Sequence, residues 1–369
     1  MTGAQAARSP TLRSPGGTPA VARRLVPPVR AARSRLNRLG LQLASSGVPG
    51  AAGLYYLARA GIFRHEQRAV LAGRRLHEDL TRHEGALHRL RRNTHRLEKG
   101  LTMRPPRAVF ATDYILETVQ AYGLLSGLAP EDLQADLQWS SHVLERYFST
   151  VPTAAHPAVA QAERAFVALP VGADEVSQTP FVRPPRAEQA ASLEALHALA
   201  AHRRSCRWFT DRPVDRQQLE AALALGATAP SACNRQSIRF LVYDQPERVQ
   251  EILSVPMGTA GFAHQVPVCV VVVGQQRGYP AERDRHVVYV DASLAVMSVL
   301  LAAEAQGLGT CCINWAALPD REEDLRRRIG LADDEVIVLL LAVGHPDPAA
   351  EVPFSAKRAL SQLVEYNRP

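Results

Sequence analysis

The chain is poor in cysteine, poor in aromatics, and free of acid near its start. Its five cysteines, at 206, 233, 269, 311 and 312, form no Cys-x-x-Cys pair and are odd in number. That excludes a secreted disulfide framework and a cysteine zinc site, and sets the expectation of a cytoplasmic protein. Aromatic residues make up 6%, and no aromatic-rich nucleic-acid motif accompanies the net charge of +7. The most apolar N-terminal run, residues 47–63, contains Arg59 and several glycines and falls short of the ~20 apolar residues of a membrane span. The first 64 residues hold ten of the 43 Lys and Arg and no Asp or Glu, leaving 33 basic against 36 acidic side chains in the remainder. A basic tail on a near-neutral body argues against a nucleic-acid-binding fold and for a solubilising arm, or weak contact with an acidic surface.

What is present is apolar patterning, at 46% of the chain, enough for one large core or two modest ones. Residues 1–40 are rich in Arg, Pro, Ser, Gly and Ala and are expected to be a disordered tail, because they cannot bury enough surface to offset ordering entropy. Residues 41–170 read as a helical region. Leu76, Leu80, Leu87, Leu90 and Leu97 recur near helical spacing, and Gly100 followed by Pro105-Pro106 ends that helix. Further helices are expected over 113–126, 130–148 and 156–168. Histidines 77, 83, 88 and 95 lack the i, i+4 spacing of two metal ligands on one helix face and read as solvated. Residues 171–186 hold three prolines and no apolar period, which predicts a linker. Residues 187–369 are then a C-terminal domain of ordinary size.

Helices and strands interleave in that domain. Asp215 with Gln218 three residues on predicts a capping box. IRFLVYD reads as a strand, PERVQEIL as a short helix, and VPVCVVVVG as a central strand covered on both faces. Residues 289–306 are apolar almost all round, which suggests a helix covered partly by another subunit. TCCINW, PDREEDLRRRIG and EVIVLLLAVGHP then read as strand, helix and strand. The fold class is α+β, with helices packed about a mixed sheet.

Three segments suit one anionic, planar ligand. In RRSCRWF, residues 203–209, Arg203, Ser205 and Arg207 alternate and share one side if extended, forming a clamp for phosphate. In APSACNRQSIRF, residues 229–240, Pro230 stops a helix, Ser231 and Ala232 leave room for a flat group, and Asn234 and Gln236 offer donors and acceptors. The same segment also fits a helix C-cap with an Asx-turn. In GLGTCCINW, residues 307–315, glycines admit a ligand beside a short strand; a plain helix-to-strand turn fits as well.

In this order and spacing the chain resembles the nitroreductase-like family of FMN-dependent oxidoreductases over about residues 195–369. The marks are Arg203-Ser205-Arg207, Pro230-Ser231-Asn234-Gln236, Gly307-Gly309-Thr310-Cys311, Val343-Gly344-His345-Pro346 and Lys357-Arg358. The resemblance implies that Arg203, Arg204, Ser205, Arg207 and Arg358 bind FMN through its phosphate, ribityl chain or pyrimidine edge. It implies that Pro230, Ser231, Asn234 and Gln236 hold the ribityl chain and ring edge, and that backbone groups of Cys312, Ile313 and Asn314 lie near the reactive ring nitrogen. It further implies a homodimer with FMN at the interface, NAD(P)H as electron donor, and a nitro, quinone or other conjugated small-molecule acceptor. No catalytic side chain and no metal are implied. Other readings are a flavin-binding, non-enzymatic partner in cell-envelope polysaccharide biosynthesis, or a flavin oxidase using O2. The chain departs from the pattern at Ser237-Ile238, where the family has Pro and an aromatic, and at Cys312 and Asn314. NTHRLEKGLTMRPPRAVF resembles an extension on members associated with polysaccharide biosynthesis. It would either cover the flavin, with Lys99 or Arg104 reaching the site, or dock without touching it.

Overall fold

In a computed structural model, which describes residues 39–45, 47–59, 61–79, 81–128, 131–170, 177–185 and 191–368, the most apolar run lies at the centre of a sheet. Residues 1–38 of the tail expected over 1–40, and parts of the expected linker, lie outside the described residues; residues 39 and 40 are helical. The chain divides into units 1–60 and 61–369. In the first, Ala51–Leu57 is a helix with no buried residue; everything below concerns the second.

Four strands, β1 (Ile238–Tyr243), β2 (Val268–Gln275), β3 (Gly309–Asn314) and β4 (Glu335–Gly344), form a sheet of order β1-β2-β4-β3. Alternate residues of β2 enter opposite cores, as the two-residue period of a strand requires. Cys269, Val271 and Val273 pack with Val249, Ile252 and Leu325. Val268, Val270 and Val272 pack with Leu219, Ala222 and the helix Val287–Ala305. The expected mixed sheet is instead antiparallel in all three strand pairs, with one isolated parallel bridge, Ser205 to Thr310. The excursion after β1 returns to the sheet end it left, since Tyr243, closing β1, pairs with Cys269 at the start of β2. The one through the helix Val287–Ala305 crosses to the other end, since Gln275 pairs with Glu335 and Gly309 with Gly344.

Asp215 caps the helix Arg216–Ala227 through the Gln217 N–H, 3.0 Å. Gln218 does not complete the expected box, because its amide donates to the Gln306 carbonyl at 2.7 Å. The helix Val287–Ala305 buries one side against the sheet and leaves Val290, Leu294 and Met297 exposed at 57%, 44% and 44%. These positions recur at i, i+4 and i+7, a single stripe.

Upstream, Ala69 of the helix Arg64–Glu78 packs with Tyr279, Val288 and Val336, while the helices His83–Leu101, Ile115–Leu128, Gln134–Thr150 and Pro157–Val167 share their own core of Leu90, Leu97, Ile115, Leu125, Leu144 and Tyr147. The single helix expected across 76–101 is two. Asp79 accepts from the Thr81 N–H at 3.0 Å and from its hydroxyl at 2.6 Å, a local turn that competes with helical bonding. The first two helices dock on the turn Gln276–Gly278 after β2. A Cβ on Gly73 would meet the Gln276 backbone at 2.5 Å, and one on Gly278 would meet the Ser237 hydroxyl at 2.2 Å. Only glycine permits these approaches.

His77 and His88, expected in solvent, are buried in this docking surface at 4% and 6% exposure. Their helices are amphipathic, but the covering partner, residues 276–278, is far away in sequence. His77 Nδ1 stands 2.8 Å from the Arg277 carbonyl, and the Arg89 guanidinium donates to the His77 carbonyl. Burial first, then the Arg89, Arg92 and Arg235 charges, hold His77 down to about 4, against its bond to the Arg277 carbonyl. Burial, then Arg91, Arg277 and His77, hold His88 down to about 3.

Both histidines are neutral when folded and would take up protons near the ordinary 6.5 when unfolded. Their contribution to stability is therefore complete above pH 6.5 and is lost as pH falls toward about 4 for His77 and about 3 for His88. The slope is up to about 1.4 kcal/mol per pH unit for each. Thermal melts between pH 7 and 4.5 are expected to show this slope, and His77→Asn, which keeps a donor toward Arg277, to flatten it. An unchanged slope would contradict the assignment.

Candidate functional site

The helix Leu193–His202 ends at Arg203, and the chain then runs extended along the sheet edge. The Cys206 N–H donates to the Thr310 carbonyl at 2.9 Å, the Phe209 N–H to Gln265 Oε1 at 2.7 Å, and Phe209 bridges Pro346. Fixed in this way, Arg203, Arg204, Ser205 and Arg207 line a cavity of about 510 Å³ whose other wall includes Phe354 and Lys357. Arg204 is folded back, donating to the Arg203 carbonyl at 3.1 Å and to the Ala201 carbonyl. Among the described residues the side chains of Arg203, Arg207 and Lys357 have no partner. The Thr310 hydroxyl, beside the Ser205 bridge, is buried without one. Of the basic pair, Lys357 lines the cavity; Arg358 turns to Gln362, donating to Oε1 at 3.3 Å and to the carbonyl at 2.9 Å.

The elbow forms a second cavity of about 350 Å³, lined by Pro230, Ser231, Gln236, Ile238, Asp291 and Ala295 among others. Its backbone is left-handed at three non-glycine residues, Cys233, Asn234 and Gln236, with φ of 52°, 52° and 50°. Such positions cost roughly 1–3 kcal/mol each and persist only where the surroundings over-determine them. Here the Gln236 N–H donates to the Ser231 hydroxyl at 3.0 Å and the Gln236 amide to Asn234 Oδ1 at 2.9 Å. Asp291 holds the elbow from behind, accepting from the Ala232 N–H at 3.1 and 3.2 Å and from the Tyr279 hydroxyl at 2.8 Å. Burial pushes the Asp291 carboxyl above the usual carboxylate range, against these two hydrogen bonds and the Arg235 charge. Ser237, which replaces the expected proline, is fully buried. Its hydroxyl donates to the Gln275 carbonyl at 2.7 Å, and its carbonyl accepts from the Gln275 N–H at 2.9 Å.

On β3, Cys311 and Ile313 face the core while Cys312 and Asn314 are exposed. Neighbouring thiols on a strand thus point apart, and burial raises the Cys206 and Cys311 thiols above their ordinary range. β3 is an edge strand. Because the Thr310 carbonyl turns outward to Cys206, the two-residue period also turns the backbone of Cys312 and Asn314 outward.

The sequence-predicted residues therefore fall into two groups. Arg203, Arg204, Ser205 and Arg207 share one cavity, and Pro230, Ser231 and Gln236 share the other; the two have no lining residue in common. Asn234, Cys312, Ile313, Asn314 and Arg358 line neither. Sequence reasoning missed Asp291 and Tyr279, for which the only signal was Asp291 as one of two acids in an otherwise apolar helix, and it favoured Arg358 over Lys357.

The family model described as "Nitroreductase family" matches residues 200–259 and 247–345, a span containing both cavities' central residues. The chain is 28% identical over 189 residues to an FMN reductase [NAD(P)H] of Bacillus subtilis, covering 47% of this chain and 74% of that protein. It is 23% identical over 208 residues to iodotyrosine deiodinase 1 of Rattus norvegicus, covering 49% and 73%. Among solved structures, an FMN-dependent nitroreductase from Clostridium difficile is 19% identical with a TM-score of 0.41, covering 46% of this chain and 98% of that one. The C-terminal part has a nitroreductase-like fold, and the helical region precedes the residues that the family model matches.

Replacing Asp291 by Asn sets an amide donor against the Ala232 N–H or the Tyr279 hydroxyl. The loss expected is roughly 1–3 kcal/mol, with amide exchange at residues 231–236 accelerated more than in β2. Uniform acceleration, or none, would remove Asp291 as the elbow's anchor.

Proposed function

We propose that the chain is an FMN-dependent oxidoreductase that draws on NAD(P)H and reduces a nitro, quinone or other conjugated acceptor. The observation that carries this reading is the set of unpaired cations, Arg203, Arg207 and Lys357, gathered around Ser205 in one cavity. Arg203, Ser205 and Arg207 stand within the segment that the nitroreductase family model matches.

The donor set fits the cofactor. A phosphate dianion answers the surplus charge, with guanidinium forks and a hydroxyl meeting its oxygens, and the partnerless Thr310 hydroxyl lies beside the same strip. Bound FMN supplies the acceptance and return of a hydride, so the protein's part is binding, orientation and electrostatics. Arg203, Arg207, Ser205 and Lys357 hold the phosphate end. At the elbow, the mutual bond between Asn234 and Gln236 uses one Oδ1 and one Nε2, leaving the Asn234 Nδ2 donor and the Gln236 Oε1 acceptor for a ring edge that carries both functions. The outward backbone of Cys312 and Asn314 offers further donors along the sheet edge. No side chain is required as acid or base.

We assign the stripe of Val290, Leu294 and Met297 to a homodimer interface, as exposed apolar residues at helical spacing favour. Asp291 and Ala295, on the same helix, line the elbow cavity, so this cavity borders that interface. Five unpaired cysteines support a reducing compartment, and with it a cytoplasmic location.

Purified protein reconstituted with FMN is expected to bind one flavin per chain and to lose its visible absorbance when NADH or NADPH is added anaerobically. Replacing Arg203 and Arg207 together by Gln removes two charge-assisted contacts worth roughly 1.5–3 kcal/mol each. It should weaken FMN about a hundredfold or more. Failure to bind flavin after reconstitution would end this reading. Leu294→Glu is expected to convert a dimer to monomer in sedimentation; a wild-type monomer would refute the interface.

A further inference from the structure

The helix His83–Leu101 lies across the C-terminal fold with His88 near Gly278. Arg92, Arg96 and Lys99 follow His88 at i+4, i+8 and i+11, and so continue the same face. This helix also packs against the elbow's 3-10 turn, Ala232–Asn234. Arg92 there feels Arg96 and Arg235; burial first, and then these like charges, push its guanidinium below the ordinary value. Glu117, a carboxylate acting on Arg92, is paired with Arg89 at 3.1 Å.

Beyond Arg92 the face opens into a cavity of about 380 Å³, within the range of small-ligand sites. Arg96, Lys99 and Arg107 supply its charge, and Met103, Phe110 and Tyr114 its apolar wall. Arg96 is held in place: its guanidinium lies 3.5 Å from the Tyr114 ring centre and donates to Asn93 Oδ1 at 3.3 Å. It stands 3.6 Å from Asp113, whose side chain is 75% exposed. Asn93 is fully buried, and its Nδ2 has no partner. Gly100 lets the Phe110 ring pack directly on the helix, since a Cβ there would meet that ring at 2.1 Å. Ala111, at the cavity's edge, is left-handed with φ 64°, local strain of the kind that collects at ligand sites. Lys99 and Arg107 have no side-chain partner among the described residues.

Three cations face one exposed carboxylate, a surplus of two positive charges. A carboxylate ligand would leave half of that surplus; a phosphate monoester or diphosphate answers it. We propose that this cleft is a phosphoryl-binding site, separate from the cavity of Arg203 and Lys357, that holds an organic phosphate by Arg96, Lys99 and Arg107 while its planar or apolar part rests on Met103, Phe110 and Tyr114. The site shares no lining residue with the other cavity and does not rest on the flavin reading. The phosphate has two conceivable sources, the nicotinamide dinucleotide donor or a phosphorylated acceptor.

Calorimetric titration of the full chain with inorganic pyrophosphate tests the site. Binding to both cavities is expected in the wild type, so the cleft is isolated in an R203Q/R207Q background. Adding K99Q/R107Q there should weaken pyrophosphate at least tenfold. Both added positions are exposed and unpaired, so the melting temperature should hold, and a melt of each variant separates lost binding from lost fold. An unchanged affinity in a folded variant overturns the proposal, whatever the outcome with flavin. Titrations with NADH and NADPH separate the sources. Weakening of either nucleotide by K99Q/R107Q assigns the site to the donor's phosphates. Unmoved dinucleotides with weakened pyrophosphate assign it to a phosphorylated acceptor.

Discussion

The buried pair of Arg277 and Asp334 fixes the turn on which the rest of the molecule is assembled. Asp334 is fully buried and accepts from Arg277 three times, from the backbone N–H at 3.1 Å, Nε at 2.7 Å and Nη2 at 2.5 Å. Its own carbonyl accepts from the Gln276 N–H at 2.9 Å. Such a pair adds little net stability over an apolar replacement, yet losing one partner strands a buried charge at a cost of about 3–5 kcal/mol. Its structural effect is positional: it pins the end of β2 to the residue preceding β4. Gly73, His77, His88 and Ser237 all take their places against that pinned turn, so the helical layer and the elbow share one reference point.

This shared reference accounts for the chain's departure at Ser237. A proline there has no hydroxyl to donate to the Gln275 carbonyl, and its ring would enter the space that Gly278 leaves for the Ser237 side chain. Serine at 237, glycine at 278 and a buried neutral histidine at 88 are three parts of one adaptation, the seating of an added helical layer against the elbow. The layer covers the elbow's inner side, and the cavity lined by Ser231, Gln236 and Asp291 lies elsewhere on it.

Much of this was legible in the sequence, and what was not has a common cause. The alternation of β2, the Asp215 cap and the over-apolar helix follow from local spacing, and local spacing is what a sequence displays. The clustering of Arg203, Ser205 and Arg207 followed from a two-residue period along an extended strip. The burial of His77 and His88 and the anchoring role of Asp291 depend on partners some 60 to 200 residues away, whereas Arg358 is drawn off by Gln362, four residues on. The break at Asp79 was local but ambiguous, because an Asx-turn and a continuing helix compete within the same few residues. The mixed-sheet expectation failed because the order of helices and strands does not say that β4, the last strand, inserts between β2 and β3, which run in the same direction without pairing.

The electrostatics extend the argument from fold to chemistry. Over residues beyond the first 64 the charges nearly balance, so a local surplus reflects arrangement rather than composition. Arg74, Arg91, Arg216, Arg239 and Arg328 are all paired with acids. Among the described residues, Arg203, Arg207 and Lys357 in one cavity, and Lys99 and Arg107 in another, are not. Folding selects for pairing when water alone must be displaced, since an unpaired charge near an apolar wall is costly. On the two proposals made above, the cations beside Phe354 in one case and beside Phe110 and Tyr114 in the other would meet anions that arrive from solution. The added helical layer would then contribute recognition as well as cover.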